Sequence, residues 1–204
     1  MGRSDVTAVT ITADTVALDA DGISTVAAVA NNAALVINGA LTSGGSATLS
    51  HGRIVTLLSS ADDSAISFTV VGTDVNGAAQ TESITGADSG TATGAAYFLT
   101  ISSITAVGDP AANVTAGVNA SAADVIFAGR SRLKGIYLTS TGTTGTIDFL
   151  TSSPVGTSVM KLSSVASATA TRDVVIPEEG VLFTDGMFIQ YTVSTFLTMT
   201  VFHA

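Results

Sequence analysis

The chain offers few side chains for acid–base or nucleophilic chemistry. His51 and His203 are its only histidines. A catalytic triad or a two-histidine metal site needs a histidine to converge with carboxylates. These two lie far apart in the sequence, and His203 closes a terminal strand, where a solvated end residue is the plain expectation. There is no Cys, which removes thiolate ligands, disulfides and a cysteine nucleophile. Asp62-Asp63 precedes a strand and fits a polar turn whose carboxylates cap backbone amides. Asp19-Ala20-Asp21-Gly22 is like the opening of a calcium loop, but the later ligands and the closing Glu of an EF-hand are missing. Glu178-Glu179 before Gly180 reads as a charged turn, and no acids are spaced like the opposed pair of a glycosidase. Gly44-Gly45 and the Gly142 to Gly145 stretch lack the phosphate-loop layouts. The expectation is a protein that is not an enzyme, with no catalytic residue, no cofactor and no metal ligand.

Two other groups could act in binding. Arg130, Arg132 and Lys134 are the densest basic cluster in a chain with seven Lys and Arg. They fall at a junction between segments. The bland reading is a polar linker; the functional one is an interface to an acidic neighbouring subunit, steered by charge. Tyr97, Phe98, Tyr137, Phe188, Tyr191 and Phe202 could form a sugar-binding face. Most of them sit in alternating strands, which favours core or interface packing.

Composition limits the partners. The formal net charge is −9, whereas nucleic acid binding needs clustered cations to neutralise phosphates. No nucleic acid partner is expected. No apolar run reaches the ~18 residues of a spanning helix, so no membrane is expected either. The stretch from Val26 to Leu41 comes nearest and is interrupted by Asn31, Asn32 and Asn38. The start MGRSDVTAV lacks a signal-peptide layout, and Val6 stands where myristoylation wants Ser or Thr. Synthesis in the cytosol without export by the usual route is expected.

The elements that must position these residues read as strands. Hydrophobic residues are 46% but aromatics only 5%, and charged residues are 11%, well below the ~25% of an ordinary domain. Thr, Ser, Asn and Gly must supply solubility, and Thr and Val suit a pleated surface. Residues 1–50 alternate roughly, with Val9, Ile11 and Val16 separated by Thr and Ala. ISTVAAVANNAALVI is compatible with helix or strand. With so little bulk, this segment is expected to be an extended N-terminal arm, or added strands, that packs on something else. Residues 51–128 read as a β-sandwich module. AISFTVVGTDV places Ile66, Phe68 and Val70 on one face, Asn76-Gly77 signals a hairpin with positive φ at both turn positions, and AQTESITG returns. YFLTISSITAVG is a strand pair or one long bent strand. Residues 129–204 read as a second module, with strands in RLKGIYLTS, GTIDFL, TSVMKLS, TRDVVIP, GVLF, MFIQYTV and FLTMTVFH separated by short turns. The expected fold is all-β: two β-sandwich or jelly-roll-like modules in series behind the arm.

Residues 51–118, with GRIVTLLSSADD, ISFTVVGTDVNG, TESITG and YFLTISSIT, resemble a module of tailed-bacteriophage virion proteins. The last segment, with RLKGIYLTSTGTTG, IPEEGVLFTDGMFI and a closing TVF, resembles a second such module, found in capsid-decorating and other small virion proteins. Residues 1–50 carry no such likeness. The resemblance implies a structural protein of the virion, assembled in the host cytoplasm. It implies a decoration or cement protein that braces the lattice of the major capsid protein, its partner, as a homo-oligomer, a trimer. The alternative is a tail- or head-associated host-recognition protein that binds glycans through exposed loops such as Gly86 to Gly94.

Overall fold

The computed structural model describes residues 5–14, 18–164 and 171–204. Val16, placed on an alternating face by the sequence, lies outside them. The described residues form strands joined by turns and loops, without an α-helix. The fold is all-β, as the β-branched composition and period-two alternation predict.

The chain divides into two compact units that differ from the serial modules read from sequence: Leu18–Ala122 forms one, and Met1–Ala17 with Ala123–Ala204 forms the other. We call them the central and terminal units.

The central unit contains β2 (Asp19–Ala28), β3 (Thr42–Ser43), β4 (Ser46–Ser59), β5 (Ser67–Thr73), β6 (Ala79–Thr85), β7 (Thr91–Val107) and most of β8 (Asn113–Phe127). Its sheet runs β8-β4-β7-β5-β6, with β2 on β8 and β3 on β4. YFLTISSITAVG belongs to one long strand, β7, which pairs with both β4 and β5. Phe68, Val70, Phe98, Ile101 and Ile104 fill the core with Val55 and Leu57.

Residues 18–50 follow the second of the two expected alternatives: they supply added strands that are part of that core, and they are not an arm. Ile23, Val29, Leu35, Ala47 and Leu49 are buried in it. Low bulk suits the place, because β2 lies very close to β8. A Cβ on Gly117 would stand 1.8 Å from the Asp19 carbonyl oxygen. A larger residue there would force the strands apart.

The terminal unit takes β1 (Thr7–Thr12) from the start of the chain and β9 (Ser131–Ser140), β10 (Gly145–Thr151), β11 (Thr157–Ser164), β12 (Thr171–Val175), β13 (Val181–Phe183), β14 (Met187–Thr192) and β15 (Phe196–His203) from its end. One sheet runs β1-β15-β9-β12, with β13 also on β9; β10 pairs with β11 and with β14. Ile136, Leu138, Phe149, Ile189, Met199 and Val201 are buried. The rings of Tyr191 on β14 and Phe196 on β15 meet at 4.7 Å, joining the inner faces of the two layers. Each large apolar side chain so buried contributes about 1.5–3 kcal/mol.

The β5–β6 hairpin is present, but Asn76-Gly77 does not form a two-residue turn. The loop covers residues 74–78, and of the pair only Gly77 has positive φ, at 79°. Asp74 organises it: its Oδ1 accepts the amides of Asn76 at 2.8 Å and Ala78 at 2.9 Å. A carboxylate that caps two amides makes the longer loop stable.

Candidate interaction surfaces

Arg132 and Lys134 flank the core residue Leu133 on β9 and reach the turn between β12 and β13. Arg132 Nη1 donates to the Glu179 carbonyl at 3.0 Å, and Lys134 Nζ donates to the Glu178 carbonyl at 3.2 Å. Gly180, at φ 75°, closes that turn by donating its amide to the Pro177 carbonyl. The two cations therefore brace the chain's own backbone. Arg130 is exposed just before β9. The pair brackets a bulge, since His203 pairs with Leu133 while Phe202 pairs with Gly135.

His203 is buried, contrary to the expectation of a solvated end residue. The Phe127 ring lies 5.2 Å from its own, and Ser131 Oγ is 3.2 Å from Nδ1. Arg132 and Ala204 exchange both backbone hydrogen bonds, which ties the last residue to β9. Ser131 is 3% exposed, so this hydroxyl–imidazole contact closes a strand end and presents no nucleophile to solvent. His51 is buried in β4 of the central unit.

The Asp62-Asp63 turn follows its expected form. Asp62 Oδ1 accepts the Ser64 amide at 3.0 Å and its hydroxyl at 2.6 Å. Those hydrogen bonds favour the carboxylate and lower its pKa below the ordinary 3.8. Asp63 is buried, and its Oδ1 accepts the Ala111 amide at 2.7 Å. Asp19 and Asp21 lie in β2, not in a loop. Among the described residues, no group of three or more His, Asp or Glu is placed to hold a metal ion.

The Gly86 to Gly94 segment is only partly a loop, because β7 begins at Thr91. The remainder is tied down by backbone hydrogen bonds, among them Asp63 to Ala87, Ser89 to Ala61 and Ser59 to Gly90. Asp88 and Ser89 at its tip are exposed. The aromatic residues divide. Tyr97, Phe98, Phe188 and Tyr191 are buried, and Tyr191 donates its hydroxyl to Asp124 at 2.9 Å. Tyr137 and Phe202 are exposed at 48% and 37%.

Those two share the outward face of the β1-β15-β9-β12 sheet. Register defines three rows across it. Thr12, Thr198, Thr139 and Thr171 make the first; Thr10, Thr200, Tyr137 and Asp173 the second; Ala8, Phe202, Gly135 and Val175 the third. Val175 is 89% exposed. Thr10 and Thr200 join hydroxyls at 2.9 Å. The face grades from hydroxyl-rich to apolar along the three rows. In the same unit a cavity of about 200 Å³ is lined by Ala13, Asp14, Thr141, Val193, Phe196 and Leu197. It is mostly apolar and holds no histidine.

One residue escaped the sequence reading. Arg53, in the middle of β4, is 1% exposed. Its guanidinium donates from Nε and Nη2 to the Asn119 carbonyl on β8. A cation at an inward position of a hydrophobic strand was the available signal. Comparison with protein-family models, with curated proteins and with solved structures gives no match for this chain.

Proposed function

We propose that this chain is a non-enzymatic structural protein of a tailed-phage virion. Its role is capsid decoration, bracing the major capsid protein lattice as a homo-oligomer. The likeness of residues 51–118 and of the last segment to virion modules supports the class. The observation that carries the surface role is the outward face of the terminal unit, with its row of Ala8, Phe202, Gly135 and Val175. Val175, 89% exposed in a row with the exposed Phe202, leaves apolar surface in water, and exposed apolar patches mark contact surfaces. An open sheet face suits a broad protein lattice better than a concave ligand site does. Arg132 and Lys134, which brace the 178–180 turn beside this face, would set the shape of the contact, while exposed Arg130 would meet acidic groups of the neighbour.

The test is cosedimentation of the purified chain with capsid shells that lack it. Tyr137→Glu and Val175→Glu place a charge in the contact and should weaken binding by about 2 kcal/mol each, or roughly thirtyfold. Shells that bind both variants as tightly as the parent would remove this face from the account.

A second reading has one observation in its favour. Tyr137 stands across from Asp173 on one side and Thr200 on the other, an aromatic ring flanked by hydrogen-bonding groups, as glycan recognition uses. It corresponds to a host-recognition protein of the tail or head. Binding to a host surface polysaccharide, lost in Tyr137→Ala, would favour it over decoration.

A further inference from the structure

The central unit has a sheet face with no ionisable group, in a protein of net charge −9. It is the outward side of β6, β5 and the second half of β7, extended by the segment around Ala34, which bridges to Thr105. One row across it is Ser83, Thr69, Thr105 and Ala34. Val71, Val107 and Val36 stand out of neighbouring rows, Val107 at 54% and Val36 at 62% exposure. Glu82 is the one acidic or basic residue in these three strands. It is turned to the opposite side, where its Oε1 accepts the amides of Ala95 and Ala96. The outward hydroxyls are partly engaged within the sheet: Thr73 and Thr100 join at 2.8 Å, and Ser102 donates to the Val71 carbonyl at 3.1 Å.

We propose that this face binds the same face of a second copy of the chain. Charge decides the occupant. A basic partner would be recruited by carboxylates, and this face has none. Two copies each carrying −9 repel least where the facing surfaces carry no acid. A face meeting its own copy is self-complementary under two-fold symmetry. The contact is small. Four neighbouring segments about 4.8 Å apart and about four residues long cover on the order of 250 Å². A standard complex buries about 800 Å² per partner. The pair is therefore weak in solution and gains strength where many copies are held side by side.

Sedimentation velocity on the full chain, up to about 0.5 mM, tests this at about 20 mM and about 500 mM NaCl. Association should rise with concentration and strengthen at high salt, because salt screens the repulsion between copies and no ion pair is lost. Thr69→Glu and Ser103→Glu, the latter on β7 opposite Val71, should each weaken it about tenfold, with unchanged thermal unfolding as the check on folding. Tyr137→Glu, on the other unit, should leave it unchanged. A chain that stays monomeric at both salts, association that falls with salt, or loss in Tyr137→Glu but not in Thr69→Glu or Ser103→Glu would each overturn the proposal. The inference rests on the homo-oligomer of the proposed function and supplies its self-contact; shell binding is tested separately at Tyr137 and Val175, so either face can fail alone.

Discussion

Asp62 and Arg53 show how single polar side chains are held in this protein. Asp62 is fully exposed, so its lowered pKa comes from the hydrogen bonds of Ser64 and not from burial. A carboxyl whose folded pKa is depressed stabilises the fold above its unfolded value. That contribution is lost as pH falls through the folded pKa, here in the window below 3.8. Carboxyl-detected NMR titration should place Asp62 below an ordinary Asp, and Ser64→Ala should return it toward 3.8. Arg53 is the reverse case, a cation with almost no exposure. Arg53→Ala would leave the Asn119 carbonyl without its donor and open a cavity. Unfolding in urea should show a loss of about 3 kcal/mol or more. Arg53→Met, which keeps the bulk, should cost less than Arg53→Ala. His203 carries the same lesson: as the next-to-last residue it reads as solvated, yet Ser131 and Phe127 enclose it.

At the level of elements, most strands beyond residue 50 were legible because their alternation is clean. Phe68 and Val70 point inward from β5, as the period-two pattern requires. The first fifty residues were not legible for two reasons. Ala-rich segments carry a weak period in either helix or strand. Their bulk is also judged alone, whereas Ala47 is buried among core residues such as Phe98 and Ile101 that lie far along the chain. The hairpin loop after β5 was mistyped because Asp74, a residue outside the Asn-Gly pair, sets its length. Gly72 gives a test of close approach. At a bulge between β5 and β7, a Cβ on it would sit 1.8 Å from the Thr100 carbonyl oxygen. Gly72→Ala must push backbone against backbone and should lower stability by about 2–3 kcal/mol in thermal or urea unfolding. The brace at Glu178 to Gly180 is milder. Its contacts are partly solvated, so Arg132→Ala should cost only about 1 kcal/mol.

For the whole molecule, the unit boundaries could not be read along the chain. β1 pairs with β15 at a separation shown by the Thr10–Thr200 contact, 190 residues apart. No local pattern announces such a pairing, and it joins the start of the chain to the terminal unit. The candidate surfaces were hidden for a related reason. Tyr137, Phe202 and Val175 become neighbours only once β15, β9 and β12 are in register. The basic cluster at Arg130, Arg132 and Lys134 was visible as a sequence feature, but the brace made by Arg132 and Lys134 was not. What results is a protein with open sheet faces that carry few charges, and the proposed role uses them for repeated contacts in an assembly. Mass spectrometry of purified phage particles tests that claim most directly. This chain should be present in the particle in fixed proportion to the major capsid protein, and its absence from particles made by cells that express it would contradict the proposed role.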